Sequence, residues 1–213
     1  MFGISERGGG KMKKMFLVVS SLIVGMVLVS GQIVLAGDIL IPNGGFELAD
    51  ESGQPVDWHV NLVDPEENQT QVDTTVYHSG KSSLYFKKGR SPKDYEGTAT
   101  PWKGGWMHIQ GPEITLPKPG KYVVSGWVRQ SDGPGNLWFL PYRMVKGQTN
   151  PWESLGDKAI IACTDKSGEW RFYEKVIDIP EGWTILFIMI QMLEANKAWI
   201  DDITIDPLEE EEY

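Results

Sequence analysis

Acidic residues near the two ends of this chain have the type and placement to share one ion. Glu47 closes the run Asn43-Gly44-Gly45-Phe46-Glu47, and Asp201 and Asp202 lie far downstream in Trp199-Ile200-Asp201-Asp202-Ile203. A hard cation such as Ca²⁺ takes six to eight oxygen ligands, so oxygens from the first and last strands would let a single ion fasten the ends together. Glu47, beside Phe46, needs a cation if it is even partly buried. The competing reading leaves both aspartates solvated and has Glu47 cap a turn.

The elements that must position these groups read as β-structure. Lys11, Lys13 and Lys14 precede an apolar stretch from Met15 to Leu35, and Val34-Leu35-Ala36 suits a signal peptidase. Residues 1–36 are therefore expected to be a cleaved signal peptide, which implies a secreted, cell-surface or periplasmic protein with no membrane attachment after cleavage. If retained, the same stretch is long enough for an anchor. Residues 37–206 make one domain, and 207–213 an acidic tail. Four of the 20 Lys/Arg and one of the 29 Asp/Glu precede residue 37, so the remainder carries −12. That charge repels phosphate backbones and excludes nucleic acid as a partner.

Cys163 is the only cysteine, so no intrachain disulfide is possible, and within Ala159-Ile160-Ile161-Ala162-Cys163 it reads as a small buried hydrophobe. Asn68-Gln69-Thr70 is a glycosylation sequon, meaningful only in a eukaryotic secretory pathway. Short β-branched and aromatic runs separated by Gly, Pro, Asn and Asp predict strands at 38–41, 58–62, 71–77, 82–87, 106–116, 121–130, 137–145, 158–164, 169–179, 184–192 and 198–205. In 121–130, Tyr122, Val124, Gly126 and Val128 share a core face; Val123, Ser125, Trp127 and Arg129 share a half-exposed one. The stretch 184–192 is apolar at nearly every position, as a central strand covered on both sides would be. The fold class is all-β, a two-sheet sandwich.

Six motifs occur in order. They are Asn43-Gly44-Gly45-Phe46-Glu47, Gly53-Gln54-Pro55-Val56-Asp57-Trp58, the His78-Ser79-Gly80-Lys81 run, Pro119-Gly120-Lys121-Tyr122, Gly168-Glu169-Trp170 and Ala198-Trp199-Ile200-Asp201-Asp202. Together they resemble carbohydrate-binding modules with the galactose-binding-like jelly-roll fold, of the cellulose- and xylan-binding type, from about residue 40 to 206. The resemblance implies a structural Ca²⁺ held by the Glu47 carboxylate, main-chain carbonyls of Gly45, His78 and Lys81, and one aspartate of the terminal pair. Adjacent strand residues point to opposite faces, so only one aspartate should reach the ion, Asp201 first and Asp202 second.

It also implies a polysaccharide or oligosaccharide partner. Sugars are held by flat rings against their C–H faces and by planar polar groups on their hydroxyls. Of nine tryptophans, Trp58, Trp170 and Trp199 read as framework. Trp127, Arg129, Trp138 and Tyr142, with Gln191 or Glu194, are candidates for a sheet-face site. Trp102, Trp106 and Trp152, with His108 and Gln110, are candidates for a loop site. Between face and loops the sequence does not choose. The expected activity is non-catalytic binding. A protein-interaction or cell-surface structural domain is the alternative. A glycoside hydrolase or lyase would need two paired carboxylates, and Glu153, Glu169, Glu174 and Glu194 form no recognisable catalytic motif.

Overall fold

A computed structural model describes residues 41–100, 105–133, 135–145 and 152–208. The expected signal peptide at 1–36, most of the strand expected at 38–41, Trp102 and the tail beyond residue 208 lie outside the described residues. Among the described residues there is no α-helix, and hence none long and apolar enough to cross a membrane.

Two antiparallel sheets face each other. In the first, β1 (His59–Asn61), β4 (Met107–Gln110), β11 (Ile185–Met192), β7 (Leu137–Met144) and β8 (Trp152–Ser154) lie side by side in that order. Two short strands complete its seven, β5 (Ile114–Thr115) on β11 and β9 (Ile161–Cys163) on β7. The second sheet has five strands in the order β10 (Trp170–Ile179), β6 (Gly120–Asp132), β12 (Asn196–Pro207), β3 (Ser83–Lys88) and β2 (Gln69–Asp73). This is the expected jelly-roll sandwich.

Alternation builds the core. Tyr122, Val124 and Val128 of β6 are buried, as are Leu84 and Phe86 of β3 and Ile200 of β12. They meet Ile109, Phe139, Ile188 and Ile190 from the other sheet. Each such side chain contributes about 1.5–3 kcal/mol on burial. Cys163 is wholly buried here, and burial pushes its thiol up, as a packing role requires.

Three departures from expectation have physical causes. The single strand expected over 106–116 is two, because Gly111-Pro112 interrupts it and proline offers no ladder donor. β8 was not foreseen: its three residues are all exposed, and only pairing with β7 makes them a strand. Asn68 is only 1% exposed, and its side-chain carbonyl accepts from Gly89 N at 3.1 Å, so the sequon's asparagine is sealed inside the fold.

Candidate functional site

The two ends of the described chain are clasped together. Asn43, at φ +52°, folds the first motif into a turn. Its side-chain amide donates to Leu48 O and Val56 O and accepts from Leu48 N, all within 2.9 Å. That turn presses Gly44 against β12: Gly44 O accepts from Ile203 N at 3.0 Å, and a Cβ on Gly44 would lie 2.4 Å from Ile203 O. Only glycine fits there.

Behind the turn the acidic groups take backbone amides of the 78–82 segment. Glu47 accepts from Lys81 N at 2.9 Å, over a Gly80 whose φ of +62° and contact with Glu47 exclude a side chain. Asp201, 1% exposed, accepts from His78 N at 2.9 Å, Ser79 N at 3.1 Å and Asp202 N at 2.9 Å. Burial, with the charge of Asp202 adding, pushes the Asp201 carboxyl up to about 6 against the pull of those amides.

The rule that adjacent strand residues point apart fails at this pair. The register shifts between Asp201 and Thr204, and Asp202 sits at φ +50°, a β-bulge that returns its carboxylate to the same side. Asp202 accordingly meets His78 Nδ1 and Ser79 Oγ, both at 2.8 Å.

Both aspartate carboxylates face Gly45, which Glu47 approaches through its Cγ. A Cβ there would stand 3.6 Å from Asp202 Oδ1, 3.9 Å from Asp201 Oδ1 and 3.9 Å from Glu47 Cγ. The two aspartate carboxylates thus flank a side-chain-free position, while the Glu47 carboxylate is turned to the Lys81 amide. His78 and Lys81 enter the cluster through their amides, and among the described residues no three acidic or imidazole groups stand as a ready-made metal cage.

The second candidate region is a groove of about 550 Å³ on the outer face of the seven-stranded sheet. Register places its residues. Asn61 pairs with His108, His108 with Gln191, and Gln191 with Trp138, so a row of planar polar groups crosses β1, β4 and β11 to end on an indole. One row along, Met189 pairs with Leu140; beyond that, Phe187 pairs with Tyr142. Leu140, Phe187 and Met189 form a small buried cluster of their own beneath the groove. This explains why β11 is apolar on both faces.

Rings rise from that floor. Trp106 and Trp138 lie 4.7 Å apart at 47°. Trp152 packs edge-on to Phe187 at 5.4 Å, and Tyr142 stacks over Phe187 at 6.1 Å. β8 carries Trp152 to the rim, held by the Arg143–Glu153 pair at 2.7 Å and by Arg143 donating to Gly182 O. Asn61 Nδ2 and His108 Nε2 are 3.3 Å apart. Burial, aided by His59, holds the His108 imidazole below its ordinary value, so it faces the groove neutral. No Asp or Glu among the described residues lines it.

The expected residues therefore divide in a way the sequence did not show. Trp138, Tyr142 and Gln191 of the face set share one groove with Trp106, Trp152 and His108 of the loop set. Trp127 and Arg129 do not join them. They lie on β6, in the five-stranded sheet, because the turn after β6 carries the chain across to the other layer before β7 begins. There His78 stacks on Trp127 at 3.8 Å and 14°, occupying one ring face. Asn61 was missed, although the outward parity of His59 and Asn61 against buried Trp58 was the available signal. The floor residues Leu140 and Met189 gave none, since an apolar residue reads as core wherever it points.

No protein-family model and no curated protein matches the sequence. Solved structures do match in fold. The enzymatically active domain of tailspike protein 4 from bacteriophage CBA120 aligns at TM-score 0.55 and 11% identity, over 79% of this chain and 21% of that one. The tandem CBM22-1–CBM22-2 domain of Xyn10C from Paenibacillus barcinonensis aligns at 0.51 and 16%, over 81% and 50%. The CBM22-1–GH10 modules of xylanase 10B from Clostridium thermocellum, complexed with xylohexaose, align at 0.53 and 12%, over 81% and 29%. The chain thus spans a fifth to a half of these structures. At such identities the likeness is one of fold, and the fold is that of carbohydrate-binding modules.

Proposed function

We propose that the protein binds a neutral polysaccharide or oligosaccharide without cleaving it, in the groove across the seven-stranded sheet. The observation that carries this reading is the row Asn61–His108–Gln191–Trp138 in direct register, with Trp106 and Trp152 beside it. Indole faces offer stacking surface to sugar C–H groups, and planar amides and a neutral imidazole offer paired donors and acceptors to hydroxyls. The fold similarity to a module complexed with xylohexaose supports a sugar as the ligand. A lining without Asp or Glu among the described residues favours binding over glycoside hydrolysis, which needs two carboxylates astride the bond. The tailspike relative is an enzyme domain, so a cleavage assay belongs beside the binding assay.

The terminal clasp is proposed to hold a structural Ca²⁺ through Glu47, Asp201 and Asp202. Its role is to neutralise their charge and to tie the first motif to β12, away from the sugar. Export by the N-terminal segment completes the proposal. The test is electrophoresis through gels containing xylan, galactan or a soluble cellulose derivative. Retardation of the wild type on at least one gel, lost in Trp138→Ala and without release of reducing sugar, is the expected result. Equal migration of both proteins on every gel overturns the reading.

A further inference from the structure

The outer face of the five-stranded sheet carries its own ordered row. Trp170 pairs with Arg129, Arg129 with Trp199, Trp199 with Tyr85, and Tyr85 with Gln71, so five side chains from five strands line up on one face. Adjacent strands are about 4.8 Å apart, so the row runs roughly 19 Å, room for about four sugar units.

Arg129 is the unusual member. Its guanidinium lies 5.5 Å from the Trp199 ring, and its Nε is buried without an acceptor. The other arginines among the described residues each meet a carboxylate: Arg90 meets Glu67 at 2.7 Å, Arg143 meets Glu153 at 2.7 Å, and Arg171 meets Asp165 at 3.3 Å. In a chain with nine more acidic than basic residues, Arg129 alone of these has no acidic partner among the described residues. The Asp73 carboxylate on the neighbouring strand pair is engaged by Trp199 Nε1 at 2.8 Å and by Thr75. That engagement also fixes the Trp199 indole beside the cation.

We propose that this face is a second glycan-contacting surface, selective for hexuronate-containing polysaccharides, with Arg129 the carboxylate anchor. A guanidinium donates two parallel N–H bonds to a carboxylate, and the flanking indoles meet the C–H faces of the same chain. Among the described residues that line it, the groove has no charged side chain and so no equivalent group. The two faces would therefore discriminate sugars by charge, and the second does not depend on the first.

Isothermal titration of the full chain tests this with tetramers of galacturonate, glucuronate and mannuronate, and with xylotetraose as a neutral comparator. At least one uronate tetramer should bind, more weakly as salt rises. Arg129→Ala should weaken that binding by about tenfold or more, and Arg129→Lys by less, because charge is kept and the fork lost. Trp138→Ala should leave uronate binding intact. If Arg129→Ala fails to fold, Trp170→Ala at the sheet edge is the substitute and should weaken uronate binding likewise. Silence of the wild type towards all three uronates overturns the proposal. So does undiminished binding by the Arg129 or Trp170 variant, or loss of uronate binding in Trp138→Ala.

Discussion

The clasp and the groove use opposite chemistry within one sandwich. At the clasp, the charge of Asp201 is buried among protein partners and accepts three backbone amides, with Asp202 half-buried and Glu47 exposed beside it. In the groove, charge is absent among the described lining residues, and rings and planar amides stand over an apolar floor. Buried charge with satisfied partners is expensive to disturb and offers nothing to a neutral ligand. Exposed rings over a fixed floor contribute little to folding and present ready-made contact area. The difference teaches that stability and recognition sit in separate parts of this chain and should fail separately.

The largest expected break of that comparison is Asp201→Ala. It strands the His78, Ser79 and Asp202 amides, and thermal or urea unfolding should show a loss of about 3 kcal/mol or more. Any folded fraction should still bind sugar with unchanged affinity. A somewhat smaller effect is expected from the proposed ion. Calcium at a hundredfold excess over its Kd should raise stability by about 2.7 kcal/mol, reversed by chelator, without altering sugar affinity. Melting curves with and without chelator read this directly, and coincident curves would remove the ion from the clasp.

Trp138→Ala should do the reverse. Neutral-glycan affinity should fall by about 1–3 kcal/mol in calorimetry, with the melting temperature almost unmoved. If stability falls as far as affinity, the indole belongs to the fold and the separation is lost. The smallest effect concerns His108. Its folded pKa lies below the usual 6.5, so the unfolded chain binds the extra proton first as pH falls. Its contribution to stability is therefore full above that value and declines as pH drops through it. Sugar affinity should be flat between about pH 7 and 8 and change only in acid. His108→Asn should remove the acid dependence.

Legibility in the sequence followed how local the determining physics was. β6 was readable because alternation over ten residues is a local pattern, and its inward and outward sets match the observed burial except at Ser125, which is buried. That the first motif lies against β12 followed from the resemblance, and Gly44 does accept from Ile203 N. The bulge that turns Asp202 was not readable, because a register shift belongs to the pairing of β12 with β6. The same holds for the site. Trp138, Tyr142, Trp106, Trp152 and Gln191 were all named, yet their union in one groove and the exile of Trp127 and Arg129 depend on which sheet each strand joins. Successive strands in a jelly roll change layers, and nothing within either strand records it.

The central claim is that neutral sugar lies on the seven-stranded sheet. Indole N–H resonances of the full chain, assigned by single Trp→Phe replacements, test it most directly during titration with the best-retained neutral oligosaccharide. The account predicts shifts at Trp106, Trp138 and Trp152, with Trp127, Trp170 and Trp199 unmoved. Shifts confined to the latter three would contradict it.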